Sequence, residues 1–391
     1  MIQFEEAYNI AINKAKKLKS EKIKLVDATN RVLAEEVFSD MDMPPFNKSA
    51  VDGFACKKSD ITKNLEVLEI IAAGQLPTLS VGNNQCSKIM TGAKVPEGAD
   101  CVIMVEDTEY VSENTIRFKK EFTAPNFSIQ AEDIRKGDVV LKKGTLIKPQ
   151  HIAILASIGC SEPEVYCRPK IAILATGSEL VEPNQKAGLA QIRNSNGWQL
   201  ISQTLEAEAL PIYFGIIGDS EEETDIAIKK AIAENDVVIL TGGVSMGDYD
   251  FVPKILQENN VELLFEKIQI KPGMPTVFGV HENSFVFGLP GNPVSSFILF
   301  EVLVKPFLKK MMGLENLVQI FKLPLGIDYS RKKSDRLGWI PAKMNENGEL
   351  IPTEYHGSAH LFSICDADFV FTVDLGVNEI NKGAIVHARQ I

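Results

Sequence analysis

A chain of 391 residues is too long for one average hydrophobic core, so we expect several domains. Hydrophobic residues make up 45% of the chain and charged residues 24%, which is typical of a folded protein and excludes a disordered or fibrous one. The formal net charge of -11 argues against a nucleic-acid-binding protein, because such proteins are usually basic.

The N-terminus predicts an amphipathic helix and not a signal peptide, and no apolar run is long enough to span a membrane. Six cysteines are scattered without CxxC spacing, so neither a zinc site nor a disulfide framework is indicated. We therefore expect a cytoplasmic protein with reduced thiols that binds neither nucleic acid nor membranes.

The first 168 residues predict helices near both ends and strands between them. Apolar residues at helical spacing predict a helix over residues 4–19, and a shorter one is predicted over 27–37. Residues 65–130 alternate short β-prone runs with Gly/Pro turns, which predicts a β-rich insert. Pro149 is suited to begin a helix that continues through Ser157.

Strand and helix patterns alternate over residues 170–312, which predicts a doubly wound α/β domain. Ser220 and Glu223 have capping-box spacing for a helix that follows them. Asn292 suits the N-cap, and Pro293 the first position, of a final buried helix. Beyond residue 323, short strands and many turns predict a small all-β barrel or sandwich.

Residues 236–250, DVVILTGGVSMGDYD, are the stretch on which the functional prediction depends. An apolar strand leads into glycines, hydroxyls and aspartates, and ligands of open α/β sheets bind at the carboxyl ends of such strands. Glycines let the backbone approach a ligand, N–H groups hold oxyanions, and carboxylates hold divalent cations. An ordinary strand-to-helix turn is the alternative interpretation.

Carboxylates follow several of the predicted strands, namely Glu179, Asp219, Asp248 and Asp250. Right-handed crossovers bring successive strand ends to one edge of the sheet, where a Mg²⁺ ion would relieve the repulsion among these groups. Lys267 and Lys271 could balance the remaining charge of a diphosphate, and the N–H groups after Gly291 could bind a further anion. Each carboxylate alone is more often structural, and the spacing does not name a substrate.

Common catalytic motifs are absent from the sequence. It contains no GxxxxGK[ST] P-loop, no GxGxxG, no GxSxG and no HExxH.

Eight motifs, in order, resemble those of the molybdopterin molybdenumtransferase family, which includes the C-terminal domain of gephyrin. They are MPPFNKSAVDGFA, IMTGAKVPEGADCVIMVED, AEDIRKGD, ILATGSELVEP, IRNSNG, LTGGVSMGDYD, KPGMPTVFG and LPGNPVSSF. The resemblance extends over nearly the whole chain and is weakest after residue 320.

The resemblance implies an elongated homodimer of multi-subdomain chains, α/β plus β in class. It implies a hinge and dimerisation subdomain (1–40 and 132–168), a β-rich insert (41–131), a doubly wound, molybdopterin-binding α/β subdomain (169–316) and a C-terminal β-barrel (317–391). The implied activity is insertion of molybdate into adenylylated molybdopterin, with Mg²⁺-dependent hydrolysis that gives molybdenum cofactor and AMP. Contact with the molybdopterin adenylyltransferase is implied as well.

The resemblance also implies roles for individual residues. The catalytic positions are Asp52, Thr91, Asp133, Glu179, Asp219 and Asp250, of which Glu179, Asp219 and Asp250 would hold the metal. The substrate-binding positions are Thr176, Gly177, Ser178, Gly242, Gly243, Ser245, Lys267, Lys271, Pro275, Ser295, Arg336 and Ser358, with Arg331 as an alternative to Arg336. Asp52 and Thr91 would reach the site across the dimer.

Two departures and two alternatives accompany this interpretation. Met274 stands where many relatives have lysine, and Ala131 stands where glycine usually precedes the Glu-Asp pair. An adenylyltransferase that activates molybdopterin with ATP is disfavoured, because such proteins usually consist of the α/β subdomain alone. A peptide-binding scaffold is also disfavoured, because it would not require the acidic residues and Lys271.

Overall fold

A computed structural model describes residues 1–218, 220–243, 252–354 and 357–391 of the chain. The hydrophobic core within these residues is divided among several clusters, as expected for a chain of this length. No helix in these ranges has the length and apolar character needed to cross a bilayer.

The N-terminal segment contains less helix than predicted. Its elements are α1 (Phe4–Lys14), a 3₁₀ turn (Leu25–Asp27), β1 (Ser20–Lys22) and β2 (Val37–Phe38). The helix predicted over 4–19 therefore ends at Lys14, and it buries Ala7 and Ala11. The helix predicted over 27–37 is wrong, because Asn30 has a φ of 63° and Leu33 pairs with Val165 instead.

Residues 48–128 contain the predicted short strands. These are β3 (Lys48–Ser49), β4 (Gly53–Cys56), β5 (Asn64–Ile71), β6 (Gln85–Ile89), β7 (Cys101–Met104), β8 (Thr108–Ser112), β9 (Thr115–Phe118) and β10 (Phe127–Ser128). A mixed sheet has the order β7-β4-β6-β5-β9-β8, so β7 is an outermost strand.

The chain then returns to the N-terminal segment through β11 (Val139–Leu141), α2 (Pro149–Ser157) and β12 (Glu164–Tyr166). Strand β11 pairs with β2, and β12 pairs with β1. Helix α2 has the predicted bounds, and Pro149 is its first residue. Ala131, just before this return, has a φ of 60°, which explains why glycine suits that position.

The α/β region follows. Its strands are β13 (Lys170–Thr176), β14 (Leu180–Val181), β15 (Ile192–Arg193), β16 (Leu210–Ile217), β17 (Val237–Thr241), β18 (Glu262–Lys267), β19 (Ile270–Lys271), β20 (Pro275–Val280) and β21 (Phe285–Leu289). Its helices are α3 (Ser195–Glu206), α4 (Glu221–Glu234), α5 (Val252–Glu258), α6 (Pro293–Leu299) and α7 (Lys305–Met311), and a π-helical turn (Phe300–Val304) joins α6 to α7.

The main sheet of this region has the order β16-β13-β17-β21-β20-β18. The first four strands are parallel, β20 runs antiparallel to them, and β18, which is antiparallel to β20, again has the direction of the first four. Alternate residues of β17 belong to two different core clusters, so this strand is buried on both faces as predicted. The Ser220 cap of α4 is also confirmed, because its side chain accepts a hydrogen bond from Glu223 N.

The C-terminal residues form β22 (Phe321–Pro324), β23 (Tyr329–Ser330), β24 (Leu337–Met344), β25 (Leu350–Pro352), β26 (Phe369–Val373), β27 (Glu379–Ile380) and β28 (Ile385–Gln390), with a 3₁₀ turn at Leu361–Ile364. Their sheet has the order β19-β24-β26-β28-β22. Strand β19 comes from the α/β region, so the two regions share a sheet. No ladder joins β19 to β22 in the described part of the chain, so the all-β prediction is confirmed but a closed barrel is not seen.

Candidate functional site

A cleft of about 800 Å³ lies at the carboxyl ends of β13 and β17, and we call it the strand-end cleft. These strands are parallel neighbours, so the residues that follow them come together at one edge of the sheet. The cleft is lined by Thr176, Gly177, Glu179, Leu180, Ile192, Arg193, Asn194, Ser195, Asn196, Thr241, Gly242, Gly243, Pro275, Pro290, Gly291, Asn292, Pro293, Ala359 and Leu361. Six of the predicted site residues are therefore in one place: Thr176, Gly177, Glu179, Gly242, Gly243 and Pro275.

Glu179 is the acidic residue of the cleft lining. Its carboxylate lies over Gly177, where an added Cβ would be only 2.6 Å from Glu179 Oε2. The side chain is exposed, and no described residue forms an ion pair or a hydrogen bond with its carboxylate. Glu179 can therefore offer oxygen ligands to a cation in the cleft.

Gly242 brings the chain after β17 against the end of β13. Its φ is +92°, and an added Cβ would lie 2.5 Å from the carbonyl oxygen of Thr176. Both the backbone conformation and the close contact therefore require glycine. Gly242 N also donates to Leu289 O (3.1 Å), which ties this loop to the end of β21.

Asn196 connects the two loops that form the floor of the cleft. Its Nδ2 donates to Thr241 Oγ1 (2.9 Å) and to Gly291 O (2.8 Å). Its Oδ1 is buried and has no hydrogen-bond partner within the described ranges. A single side chain of α3 thus fixes the positions of the loops after β17 and β21.

The cleft is suited to anions although the whole chain is acidic. Asn194 caps α3 by accepting a hydrogen bond from Gly197 N (2.9 Å), and Ser195 and Asn196 form the first turn of that helix. The N-terminus of a helix carries partial positive charge and free N–H groups. Arg193, directly before the cap, adds an exposed guanidinium to the lining. These groups favour a phosphate or another oxyanion.

Asn194 is itself held by a hydrogen-bond network behind the cleft. Its Nδ2 donates to Tyr213 Oη (2.7 Å), which donates to Glu182 Oε1 (2.6 Å). Burial, and then the hydrogen bond to Glu182, raise the pKa of Tyr213. The phenol therefore stays protonated and keeps Asn194 in its capping orientation.

The C-terminal region supplies another wall of the cleft. Asn292 Nδ2 donates to Ser358 Oγ (2.9 Å), and Val294 N donates to Ser358 O (3.1 Å). Asn292 is the N-cap residue of α6 as predicted, but its side chain makes no capping hydrogen bond because it is bonded to Ser358. Ser358 thus contacts the start of α6, and Ala359 and Leu361 line the cleft.

The predicted cations Lys267, Lys271 and Arg336 are not among the residues that line the cleft. Lys267 is paired in register with Pro275, which does line it. Lys271 lies on β19 beside Gly338 of β24, and Arg336 precedes that strand. Ser295 is 2% exposed within α6 and is not part of the lining.

The structure distinguishes between the two candidate arginines. The Arg331 guanidinium donates hydrogen bonds to three backbone carbonyl oxygens, those of Val377, Arg336 and Asp374. Arg336 has a loose ion pair with Asp335 (3.6 Å), and its Nε is buried without a hydrogen bond in the described part of the structure. Arg331 is therefore engaged in holding the fold, whereas Arg336 retains donors for a ligand.

Asp52, Thr91 and Asp133 are exposed, and none of them lines the cleft within this single chain. Asp52 Oδ1 accepts hydrogen bonds from Thr91 Oγ1 (2.7 Å) and Thr91 N (2.6 Å). These bonds, that of the hydroxyl first, hold the pKa of Asp52 below its ordinary value. Asp52 and Thr91 thus form a unit at the start of β4, and its role at the cleft stays a prediction.

Three predicted site residues, Asp219, Ser245 and Asp250, lie outside the described residues, as does Asp248. Two of the three predicted metal ligands are among them. Within the described ranges, no group of three His, Cys, Asp or Glu side chains is arranged to hold a metal ion. Ser178, beside Glu179, is exposed and does not line the cleft.

The prediction missed the contribution of residues 193–196. The motif IRNSNG contains these residues, but the family resemblance implies no role for Arg193, Asn194 or Asn196. The sequence signal is a run of cap-forming residues after an arginine and before an amphipathic helix. Such a run indicates a helix N-terminus, but it does not tell whether that terminus lies at a ligand site.

Two family models match most of the chain. The model described as "MoeA N-terminal region (domain I and II)" matches residues 2–159. The model described as "Probable molybdopterin binding domain" matches residues 172–310, which include nearly all of the cleft lining.

Relatives and solved structures match over nearly the full length. Proteins named molybdopterin molybdenumtransferase from Staphylococcus aureus and Staphylococcus epidermidis are each 35% identical, over 98% of this chain and 94% of their own. The crystal structure of the molybdopterin biosynthesis moeA protein from Pyrococcus horikoshii OT3 has a TM-score of 0.85 and 30% identity, with 100% of both chains covered. A molybdenum cofactor biosynthesis protein from Pyrococcus furiosus, at 21% identity and a TM-score of 0.63 over 100% of both chains, shares the fold.

Proposed function

Since this chain belongs to the molybdopterin molybdenumtransferase family, we propose that it inserts molybdate into adenylylated molybdopterin at the strand-end cleft. It is a transferase of molybdenum cofactor biosynthesis. In the proposed reaction the anhydride between AMP and the pterin phosphate is hydrolysed with Mg²⁺. The products are molybdenum cofactor and AMP.

The observation that carries this proposal is that one cleft contains both the Glu179 carboxylate and the N-terminus of α3, which is suited to bind an anion. Glu179, the residues of the α3 N-terminus and Arg193 all line this cleft, together with several glycines. A diphosphate needs N–H donors and positive charge for its oxygens, and its metal ion needs carboxylate oxygens. The cleft supplies both.

The residues of the cleft act by binding and positioning. The N–H groups of the first turn of α3 and the guanidinium of Arg193 would bind phosphate oxygens. Asn196 would hold the loops at Thr241 and Gly291 in fixed relation, so that the anhydride lies in one orientation. Gly242 would let the backbone approach the phosphates closely.

Glu179 fits a Mg²⁺ ion, because its carboxylate is exposed in the cleft without a described protein partner. We propose Asp219 and Asp250 as the further ligands. A bound Mg²⁺ would withdraw charge from the diphosphate and so make AMP a better leaving group.

Molybdate, the second substrate, would bind beside Pro275. Lys267 is paired in register with Pro275, Lys271 precedes it by four residues, and both would attract the oxyanion. Ser295, Ser358 and Arg336 complete the proposed molybdate-binding set. Arg336 is favoured over Arg331 because three carbonyl groups already occupy the Arg331 guanidinium.

The proposed active unit is an elongated homodimer in the cytoplasm. Asp52, Thr91 and Asp133 do not line the cleft of their own chain, which supports a role at the cleft of the partner. We propose four subdomains. The first combines residues 1–40 and 132–168, and the others are residues 41–131, 169–316 and 317–391. The last would be a C-terminal barrel that includes the sheet of β24, β26, β28 and β22. Contact with molybdopterin adenylyltransferase would deliver the adenylylated substrate.

Incubation of the purified protein with adenylylated molybdopterin, Mg²⁺ and molybdate tests the proposal. We expect release of AMP together with active molybdenum cofactor. Consumption of ATP with molybdopterin would support the adenylyltransferase alternative. If neither reaction occurs, the peptide-binding scaffold is the alternative that remains.

The acidic set is tested by substitution. We expect Glu179→Gln, Asp219→Asn and Asp250→Asn each to slow AMP release on the order of 100-fold, because each removes a charged metal ligand and no core volume. Glu346→Gln is the matched control, since Glu346 is also exposed but lies on the turn between β24 and β25. Wild-type rates in all three acidic variants would show that the cleft is not the reaction site.

A further inference from the structure

Three cysteines that are far apart in sequence form a row across the sheet of residues 53–118. Cys56 on β4 lies directly opposite Cys86 on β6 and directly opposite Cys101 on β7. All three side chains are 0% exposed and belong to the same core cluster. The sequence spacing gave no sign of this arrangement, because it depends on how the strands pair.

Two of the three sulfur atoms are in contact. Cys56 Sγ and Cys101 Sγ are 3.6 Å apart. Cys86 makes no hydrogen bond with either thiol among the residues described. The row also does not form a metal site, because no suitable group of three ligands exists in the described ranges.

The backbone geometry of this pair suits a disulfide. Residues directly opposite on antiparallel strands have Cα atoms about 4.5–5.5 Å apart. Disulfides span Cα separations of about 4.4–6.8 Å with an S–S bond of about 2.05 Å. Bond formation therefore requires the sulfur atoms to approach by roughly 1.5 Å through side-chain rotation, with no rearrangement of the strands.

We propose that Cys56 and Cys101 are an oxidisable dithiol that hydrogen peroxide converts to a cross-strand disulfide. In the first step a cysteine thiolate attacks one peroxide oxygen, which forms a sulfenic acid and releases water after protonation. In the second step the other thiol attacks that sulfur, the S–S bond forms and a second water leaves. Overall, two thiols and one hydrogen peroxide give one disulfide and two waters.

Cys101 is the thiol that reacts first. The hydrogen bond between the two thiols lowers the pKa of Cys101. The same hydrogen bond, and then burial, raise the pKa of Cys56. Cys101 is therefore the better source of thiolate, and Cys56 resolves the sulfenic acid.

Access to the pair is from the end of the outermost strand. Cys101 is the first residue of β7, and Asp100 before it is exposed. Cys56 is the last residue of β4, and Lys58 just beyond it is exposed. Strand ends open locally more often than strand centres, and hydrogen peroxide is small enough to enter such an opening.

Mass spectrometry of the full-length chain tests the proposal. The reduced protein, with Cys365→Ala to remove an exposed thiol, is treated with hydrogen peroxide, alkylated under denaturing conditions and digested. We expect loss of two hydrogen atoms from the intact mass, a cross-linked peptide pair containing Cys56 and Cys101, and reversal by dithiothreitol.

Cys86→Ala is the matched control, since Cys86 is equally buried on the other neighbouring strand. This variant should still form the disulfide, whereas Cys56→Ala and Cys101→Ala should not. The result for the Cys365→Ala protein, in which Cys56, Cys86 and Cys101 are all present, can overturn the proposal. It does so if Cys56 and Cys101 are both alkylated after peroxide treatment, or if the disulfide joins either of them to another cysteine.

Discussion

Gly242 shows how a single backbone position shapes the cleft. The sequence indicates that glycines follow β17, but it does not tell what they approach. In the structure Gly242 has a φ of +92° and lies against the Thr176 carbonyl. The sequence likewise does not tell what Asn196 contacts, and in the structure its two hydrogen bonds connect loops that are far apart in the chain. Residue types were thus predictable, whereas their partners depended on tertiary packing.

Gly242→Ala should reduce the rate of AMP release about 100-fold. The new Cβ would push the loop away from the Thr176 carbonyl and so misalign the bound anhydride. The measurement is the rate of AMP release at saturating substrate. Gly348→Ala is the matched control, since Gly348 also has a positive φ (+76°) but no heavy atom within 4 Å of the added Cβ. Equal rates for the two variants would mean that the loop position is unimportant for turnover.

The Asp52–Thr91 unit gives a prediction about pH. Thr91→Val removes the hydroxyl that contributes most to the lowered pKa of Asp52, so the pKa should rise toward its ordinary value. Because the folded-state pKa is depressed, these bonds stabilise the fold above the ordinary carboxyl pKa of 3.8 and lose that effect as the pH falls through the folded value. Carboxyl-carbon NMR titration of Asp52 in both proteins measures the shift. An identical titration curve in the variant would contradict this account.

At the level of elements, the sequence predicted those features that depend on interactions between residues close together in the chain, such as helix starts. Pro149 and the Ser220 cap fixed the starts of α2 and α4, and the buried β17 was evident from its apolar run. The helix expected over 27–37 failed because long-range pairing of Leu33 with Val165 competes with weak helical periodicity. Strand β20 runs antiparallel to both of its neighbours, β21 and β18, and no local pattern indicates that direction.

Ser220→Ala should loosen the first turn of α4. Loss of the bond from Glu223 N to Ser220 Oγ (3.2 Å) typically costs about 1 kcal/mol, which corresponds to about fivefold faster local opening. Hydrogen exchange at the Glu223 amide measures this opening. Ser157→Ala, in which the lost hydroxyl bonds to Ile154 O at the end of α2, should leave Glu223 exchange unchanged. If the two variants exchange alike at Glu223, the cap does not stabilise α4.

At the level of the whole molecule, the arrangement of the regions determines which residues can meet. The α/β region and the C-terminal sheet are joined through β19, and Asn292 bonds to Ser358, so the strand-end cleft has walls from both. Asp52 and Thr91 lie beside strands of another sheet, just before β4 and just after β6, and do not line the cleft of their own chain. The motifs predicted the composition of the site, but sequence alone could not tell which parts one chain assembles by itself.

The most direct test of the central claim is a crystal structure of the protein soaked with AMP, Mg²⁺ and molybdate. The account predicts the AMP phosphate at the N-terminus of α3, within reach of Arg193 and Glu179, and molybdate beside Pro275. Anions bound reproducibly elsewhere, with the strand-end cleft left to solvent, would contradict it.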